Sequence, residues 1–248
     1  MNDVILAPYF GGLGDSLQFS TLPEEFYKQK GRETYLADGT SFRNKEIYDL
    51  VWGMNPYIKG IREEERNAGD LPSIELKNHT GNWISNWEYL HGLEPTNVRP
   101  KIYYEPKLID EYMDVVLVDL SSVTINHDNT GYGYDLGEVE KVYKRLREQH
   151  SDKKFIGIRF KNVESKVYEP EVDDTILLDD IFHYCDLMRS SFGICCFYSG
   201  SMVLSTAVQR FNPNLKIFCI TSPSVYYSDR TQKMGIFYFD FVDYIVTE

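Results

Sequence analysis

Gly11-Gly-Leu-Gly-Asp15 sets three glycines ahead of a carboxylate, just after the apolar run Val4-Ile-Leu-Ala-Pro8. Glycines let a backbone approach a ligand closely, and the start of a following helix adds free amides and a positive dipole end. Asp15 at that helix start reads in two ways, as an N-cap without chemical duty or as a general base held at a ligand site. The spacing is not the dinucleotide fingerprint, because Gly-x-Gly-x-x-Gly from Gly12 needs its last glycine at Leu17. Asp38 ends the next expected strand, where nicotinamide enzymes hold a ribose, yet Asp38-Gly39 is also an ordinary turn pair.

A second constellation is Ser199-Gly-Ser201, between an apolar run and a helical stretch. Small hydroxyl residues and helix-start amides can hold diphosphate oxygens without a metal, although a Ser N-cap needs no ligand. Asp119, Ser121 and Ser122 follow another apolar strand, at the end where such sheets bind ligands; a simple turn explains them equally well. Lys161 and Lys166 lie in a charged insertion and are candidates to neutralise a diphosphate, and His79 lies in a polar loop. No His, Cys and Asp residues fall at metal-ligand spacing, and Asp173-Asp174 and Asp179-Asp180 lack the strand-end context of a metal-binding Asp-x-Asp. Neither a metal nor a cofactor is therefore expected. Gly-x-Ser-x-Gly and Walker loops are absent, which weakens serine hydrolase and phosphoryl-transfer chemistry.

The elements that must position these residues alternate. Strands are expected at 4–8, 34–37, 57–61, 113–120, 154–160, 193–198 and 215–220, with helices at 15–30, 44–52, 83–93, 136–150, 179–190 and 202–211. Gly31 suits a left-handed cap, and residues 63–70 read as a charged surface loop. The alternation stops at Pro95 and restarts at Met113, so two domains are expected, 1–105 and 106–248. The fold class is α/β: two Rossmann-like parallel-sheet domains, compact, with their ligand-binding ends facing a cleft.

Composition agrees with a globular chain, 42% hydrophobic and 15% aromatic over 248 residues. The net charge of -12 repels phosphate backbones, so nucleic acid is not an expected partner. No apolar run is long enough for a transmembrane segment, and the opening residues lack a basic region before an apolar core, so a cytoplasmic location is expected. Cys185, Cys195, Cys196 and Cys219 sit in apolar segments and read as buried thiols.

The stretch from Gly11 to Pro23 resembles the opening of the heptosyltransferase-like glycosyltransferases of the two-domain type-B fold, where a glycine loop ends in Gly-Asp and a proline follows. Asn55-Pro-Tyr-Ile-Lys-Gly-Ile61 is similar to that family's Asn-Pro-Tyr and strand, and Leu90-His-Gly-Leu93 to the Leu-Gly-Leu ending its acceptor-side domain. Residues 193–207 resemble its strand, Asp-Thr-Gly turn and helix, with Tyr198 at the Asp, Ser199 at the Thr, Gly200 retained and Val203 where a His is expected.

The resemblance implies a metal-independent glycosyltransferase, moving a sugar from a nucleotide diphosphate donor to a saccharide or glycolipid acceptor. Asp15 would be its base, with Gly11, Gly12, Gly14, Gln18 and His79 on the acceptor side and Ser199, Gly200 and Ser201 at the donor diphosphate. Two other classes stay open: an NAD(P) oxidoreductase using the first glycine loop with Asp38, and a noncatalytic sugar- or nucleotide-binding protein.

Overall fold

In the computed structural model, residues 3–8, 10–70, 82–121, 134–161, 168–226 and 238–248 are described. The chain divides into two compact units, Met1–Glu105 with Gln232–Phe239, and Pro106–Thr231 with Asp240–Glu248.

The first unit opens with strand β1 (Val4–Ala7), buried throughout, and two helices, α1 (Leu13–Leu17) and α2 (Leu22–Lys30). The single helix expected at 15–30 is thus broken. Pro23 lacks an amide proton and is tolerated in a first turn, so the helix restarts just ahead of it, and the Leu17 carbonyl at the break accepts from both the Ser20 amide at 3.1 Å and Ser20 Oγ at 2.7 Å. Gly31 closes α2 at φ 62°, a left-handed cap.

Strand β2 (Thr34–Ala37) follows, then α3 (Lys45–Tyr48), which runs into a π-helical turn at Asp49–Gly53, and β3 (Ile58–Arg62). Asn44 caps α3 by accepting from the Ile47 amide at 2.9 Å.

The charged loop expected at 63–70 contains an edge strand, β4 (Ala68–Gly69), parallel to β1 with Leu6 opposite Ala68 and Ala7 opposite Gly69. Its approach is prepared by Asn67, whose side chain accepts from the Ile5 amide at 2.9 Å while its own amide donates to the Ile5 carbonyl at 3.0 Å. Gly69 sits at φ 100°, where a Cβ would lie 2.4 Å from the Ala7 carbonyl oxygen. Gly69→Ala is therefore expected to cost about 2 kcal/mol or more, read as a lowered urea midpoint at unchanged slope. An unchanged midpoint would mean that β4 does not pack on β1 in this way.

Helix α4 (Trp83–Leu90), capped by Asn82, completes the first unit and stacks Trp83 on Trp87. His91, just beyond it, accepts from the Gly69 amide through Nε2 (3.0 Å), while Nδ1 lies 2.7 Å from the Trp87 carbonyl. Burial lowers its pKa, which suits a neutral imidazole bridging two backbone groups. The sheet order is β3-β2-β1-β4, all parallel, a Rossmann half-sheet.

The second unit contains β5 (Val115–Asp119), α5 (Leu136–Gln149), β6 (Lys154–Phe160), β7 (Asp174–Leu178), α6 (Ile181–Ser190), β8 (Gly193–Phe197), α7 (Gly200–Val208), β9 (Lys216–Thr221) and β10 (Asp243–Val246). Helix α5 buries Val139, Val142, Tyr143 and Leu146 against β5, β6 and β8, the stripe its 3.6-residue spacing requires. The sequence reading missed β7 and β10, which lie at the two edges and lack continuous apolar runs. The Asp pairs near β7 are structural: Asp173 accepts from the Phe155 amide at 2.7 Å, and Asp180 caps α6. The parallel order β10-β9-β8-β5-β6-β7 is the full doubly wound topology, reversing direction between β5 and β8. All four cysteines are free and buried, and burial pushes each thiol well up.

Candidate functional site

The glycine loop leaves β1 at its carboxyl end. Gly12, in extended conformation at φ -71°, is the N-cap of α1, so Asp15 occupies the third helical position and not the cap. From there its carboxylate reaches back to the Gly12 amide, the return half of a capping box. A Cβ on Gly12 would lie 2.5 Å from Asp15 Oδ2 and 3.6 Å from Arg43 Nη2. A Cβ on Gly11 would lie 2.6 Å from the Ser41 carbonyl oxygen, and the Arg43 amide donates to the Gly11 carbonyl at 2.9 Å. These two glycines are required by the chain's own 41–43 loop and by Asp15.

Asp15 is partly buried. Burial raises its carboxyl above the ordinary value, opposed by the Gly12 amide and then by the Arg43 guanidinium. A half-desolvated carboxylate with a raised pKa is suited to accept a proton. Arg43 was missed in the sequence, since nothing in the spacing of residues 11–15 points to a residue in the loop after β2. Gln18 is buried and its Oε1 accepts from Trp87 Nε1 at 2.8 Å, so that atom is committed to the core. His79, Ser122 and Lys166 lie outside the described residues.

Beyond the carboxyl ends of β1, β2 and β3 lies a cavity of about 310 Å³, lined among others by Pro8, Asp38, Thr40, Ser41, Glu64 and Arg66. Asp38-Gly39 forms the expected turn, with the Thr40 amide donating to the Ala37 carbonyl at 3.2 Å and Gly39 at φ 76°.

In the second unit the polar groups gather at the β5/β8 reversal, the place where doubly wound sheets bind ligands. Asp119, 1% exposed at the end of β5, accepts from three hydroxyls: Ser121 and Ser201 at 2.6 Å and Tyr184 at 2.8 Å. Burial, and next the charge of Asp119, raise the Tyr184 phenol well above its usual value, so it remains a donor. Ser199 is the N-cap of α7, its Oγ accepting from the Ser201 amide at 3.3 Å, and Gly200 opens the helix. The Ser201 hydroxyl proton is therefore spent on Asp119, and what the turn offers outward is main-chain amides and the Ser199 hydroxyl.

Val203 is fully buried in α7, and Lys161 is ion-paired with Asp179. Tyr184 was also missed by the sequence reading, which singled out Asp119, Ser121 and Ser201 at two separate turns but gave no sign that they meet. Among the described residues no three His, Cys, Asp or Glu side chains gather as a metal site, and no helix is long and apolar enough to cross a membrane.

Two doubly wound parallel-sheet units of this kind define the type-B glycosyltransferase fold class. Within it, the chain is similar to a family 9 glycosyl transferase from Veillonella parvula DSM 2008: TM-score 0.59 and 12% identity, over 99% of this chain and 86% of that one. It is also similar to the iron-containing dodecameric glycosyltransferase TibC of enterotoxigenic E. coli H10407, with TM-score 0.54 and 15% identity over 88% of this chain. The TibC structure in complex with ADP-D-beta-D-heptose gives TM-score 0.55 and 14% identity over 98% of this chain. The matches span 59% and 63% of those two TibC chains. At these identities the likeness is one of fold, and the fold is heptosyltransferase-like. No protein-family model and no curated protein matches the sequence.

Proposed function

We propose that the protein is a metal-independent glycosyltransferase that moves a sugar from a nucleotide diphosphate donor to a saccharide or glycolipid acceptor, in cytoplasmic carbohydrate biosynthesis. The observation that carries this reading is Asp15, a partly buried carboxylate with a raised pKa at the carboxyl end of the first sheet, in a heptosyltransferase-like fold. Residues 1–105 take the acceptor side and residues 106–248 the donor side. Asp15 accepts the proton of the acceptor hydroxyl as that oxygen attacks the anomeric carbon and the bond to the diphosphate breaks. The first-turn amides of α7 and the Ser199 hydroxyl receive the charge that develops on the leaving diphosphate. The acidic chain, at -12, does not suit nucleic acid as a partner.

The nicotinamide alternative is disfavoured at the glycine loop. A pyrophosphate needs the faces of the glycines open, and here Ser41 fills that of Gly11 and Asp15 that of Gly12.

The test is a thermal-shift panel of nucleotide sugars followed by assay of nucleoside diphosphate release, beginning with ADP-heptose, the ligand of the TibC complex. A donor at about 100 times its dissociation constant should stabilise the protein by about 2.7 kcal/mol. Stabilisation without release, across acceptors, would leave a noncatalytic binding protein. No response to any nucleotide sugar would reject the reading.

A further inference from the structure

The cavity beyond β1, β2 and β3 brings the exposed carboxylates of Asp38 and Glu64 together with the half-buried guanidinium of Arg66. Among the described residues the carboxylate of Asp38 and the guanidinium of Arg66 have no hydrogen-bond or ion-pair partner, and they are not paired with each other. Arg66 is half-buried, a position in which a guanidinium with five donors gives up hydration without gaining an acceptor. Glu64 is only loosely engaged, its Oε1 lying 3.6 Å from Arg62 Nη1. The Asp38 backbone, by contrast, is fixed, its amide donating to the Arg62 carbonyl at 2.7 Å. The carboxylate thus stands on a rigid turn. The walls contributed by Ala7, Pro8 and Ala37 are apolar, and the volume is at the low end of small-molecule sites.

We propose that this cavity is a saccharide subsite that recognises a vicinal diol on an uncharged sugar. A carboxylate accepts from two neighbouring hydroxyls at once, a guanidinium fork donates to hydroxyl or ring oxygens, and the apolar walls meet the C–H face of the ring. Two carboxylates against one guanidinium disfavour a phosphorylated sugar. Ser41 joins the subsite to the reacting end of the unit, since it lines the cavity and its carbonyl packs on Gly11 of the Asp15 loop. As the acceptor subsite the cavity rests on the transferase reading. The diol chemistry does not, because a nucleoside ribose presents the same pair of hydroxyls.

The experiment is a heteronuclear NMR titration of the whole chain with methyl glucopyranoside, methyl mannopyranoside, glucose 6-phosphate and AMP. A methyl glycoside should shift the amides of Asp38, Gly39, Thr40 and Arg66, and glucose 6-phosphate should bind more weakly. Asp38→Ala and Arg66→Ala should each weaken glycoside binding by about tenfold or more, the effect of losing a charged hydrogen bond. Absence of shifts with both glycosides, or tighter binding of glucose 6-phosphate, would overturn the subsite. Shifts at the same amides with AMP alone would give the diol to a nucleoside and overturn the saccharide assignment. A parallel titration with nucleoside diphosphates, read at Gly200 to Met202, keeps the two failures apart: binding there with a silent cavity sinks the subsite alone, and silence at both sinks the transferase reading as well.

Discussion

Asp15→Asn should lower sugar transfer by about two to four orders of magnitude while leaving donor affinity and the fold nearly unchanged, measured as kcat and KM with an active donor and acceptor pair. The amide keeps an oxygen able to accept from the Gly12 backbone, so the contact that closes the first turn of α1 survives, and only proton acceptance is lost. The effect on stability has a definite sign. Burial raises the folded-state pKa of Asp15 above its ordinary 3.8, so the ionised carboxyl is held at a cost that is present above the raised value and absent below 3.8. Removing that charge is therefore neutral or slightly stabilising near neutral pH. The transfer rate of the unmodified protein should rise with pH through the raised value, as a base becomes free to act. Unchanged transfer in the Asn variant would reject the catalytic role.

Asp119→Ala is expected to have the largest effect on stability, a loss of about 2–4 kcal/mol in urea denaturation. The substitution strands the hydroxyl of Tyr184, which is fully buried, together with those of Ser121 and Ser201, and opens a void under the start of α7. Asp119→Asn should cost less, because an amide oxygen still accepts and the hydroxyls can turn to accept from the amide protons. Both variants should also weaken nucleoside diphosphate binding, since Ser201 is tied to Asp119 and Ser199 caps the same turn. Full stability in Asp119→Ala would show that the three hydroxyls find other partners, and would remove this carboxylate from the account of the donor side.

The division of labour between sequence and tertiary structure follows from the range of the forces involved. Apolar periodicity was enough to show the α/β alternation, because β1, β5 and β8 are buried along their length, β9 is buried from Ile217 onward, and α5 carries one clear stripe. Local chemistry was equally legible at the Gly31 cap, at the Asp38-Gly39 turn and at Ser199 opening α7, each decided by neighbours a few residues away. Edge strands were not. β4 is two residues long and exists because Asn67 and Gly69 fit against β1, more than sixty positions earlier.

The sites divide in the same way. Residues 11–15 were conspicuous as a string, but only the fold shows that the first two glycines make room for Ser41 and Asp15, and that Arg43 shares the space above Gly12. Asp119, Tyr184 and Ser201 are scattered over 83 positions of the chain and meet because the sheet reverses direction between β5 and β8. Asp38 and Arg66 come to one cavity through the ends of neighbouring parallel strands. Backbone propensity and capping act over a few residues and can be read along the chain; burial, desolvation and the meeting of distant polar groups depend on packing, which only the folded chain specifies.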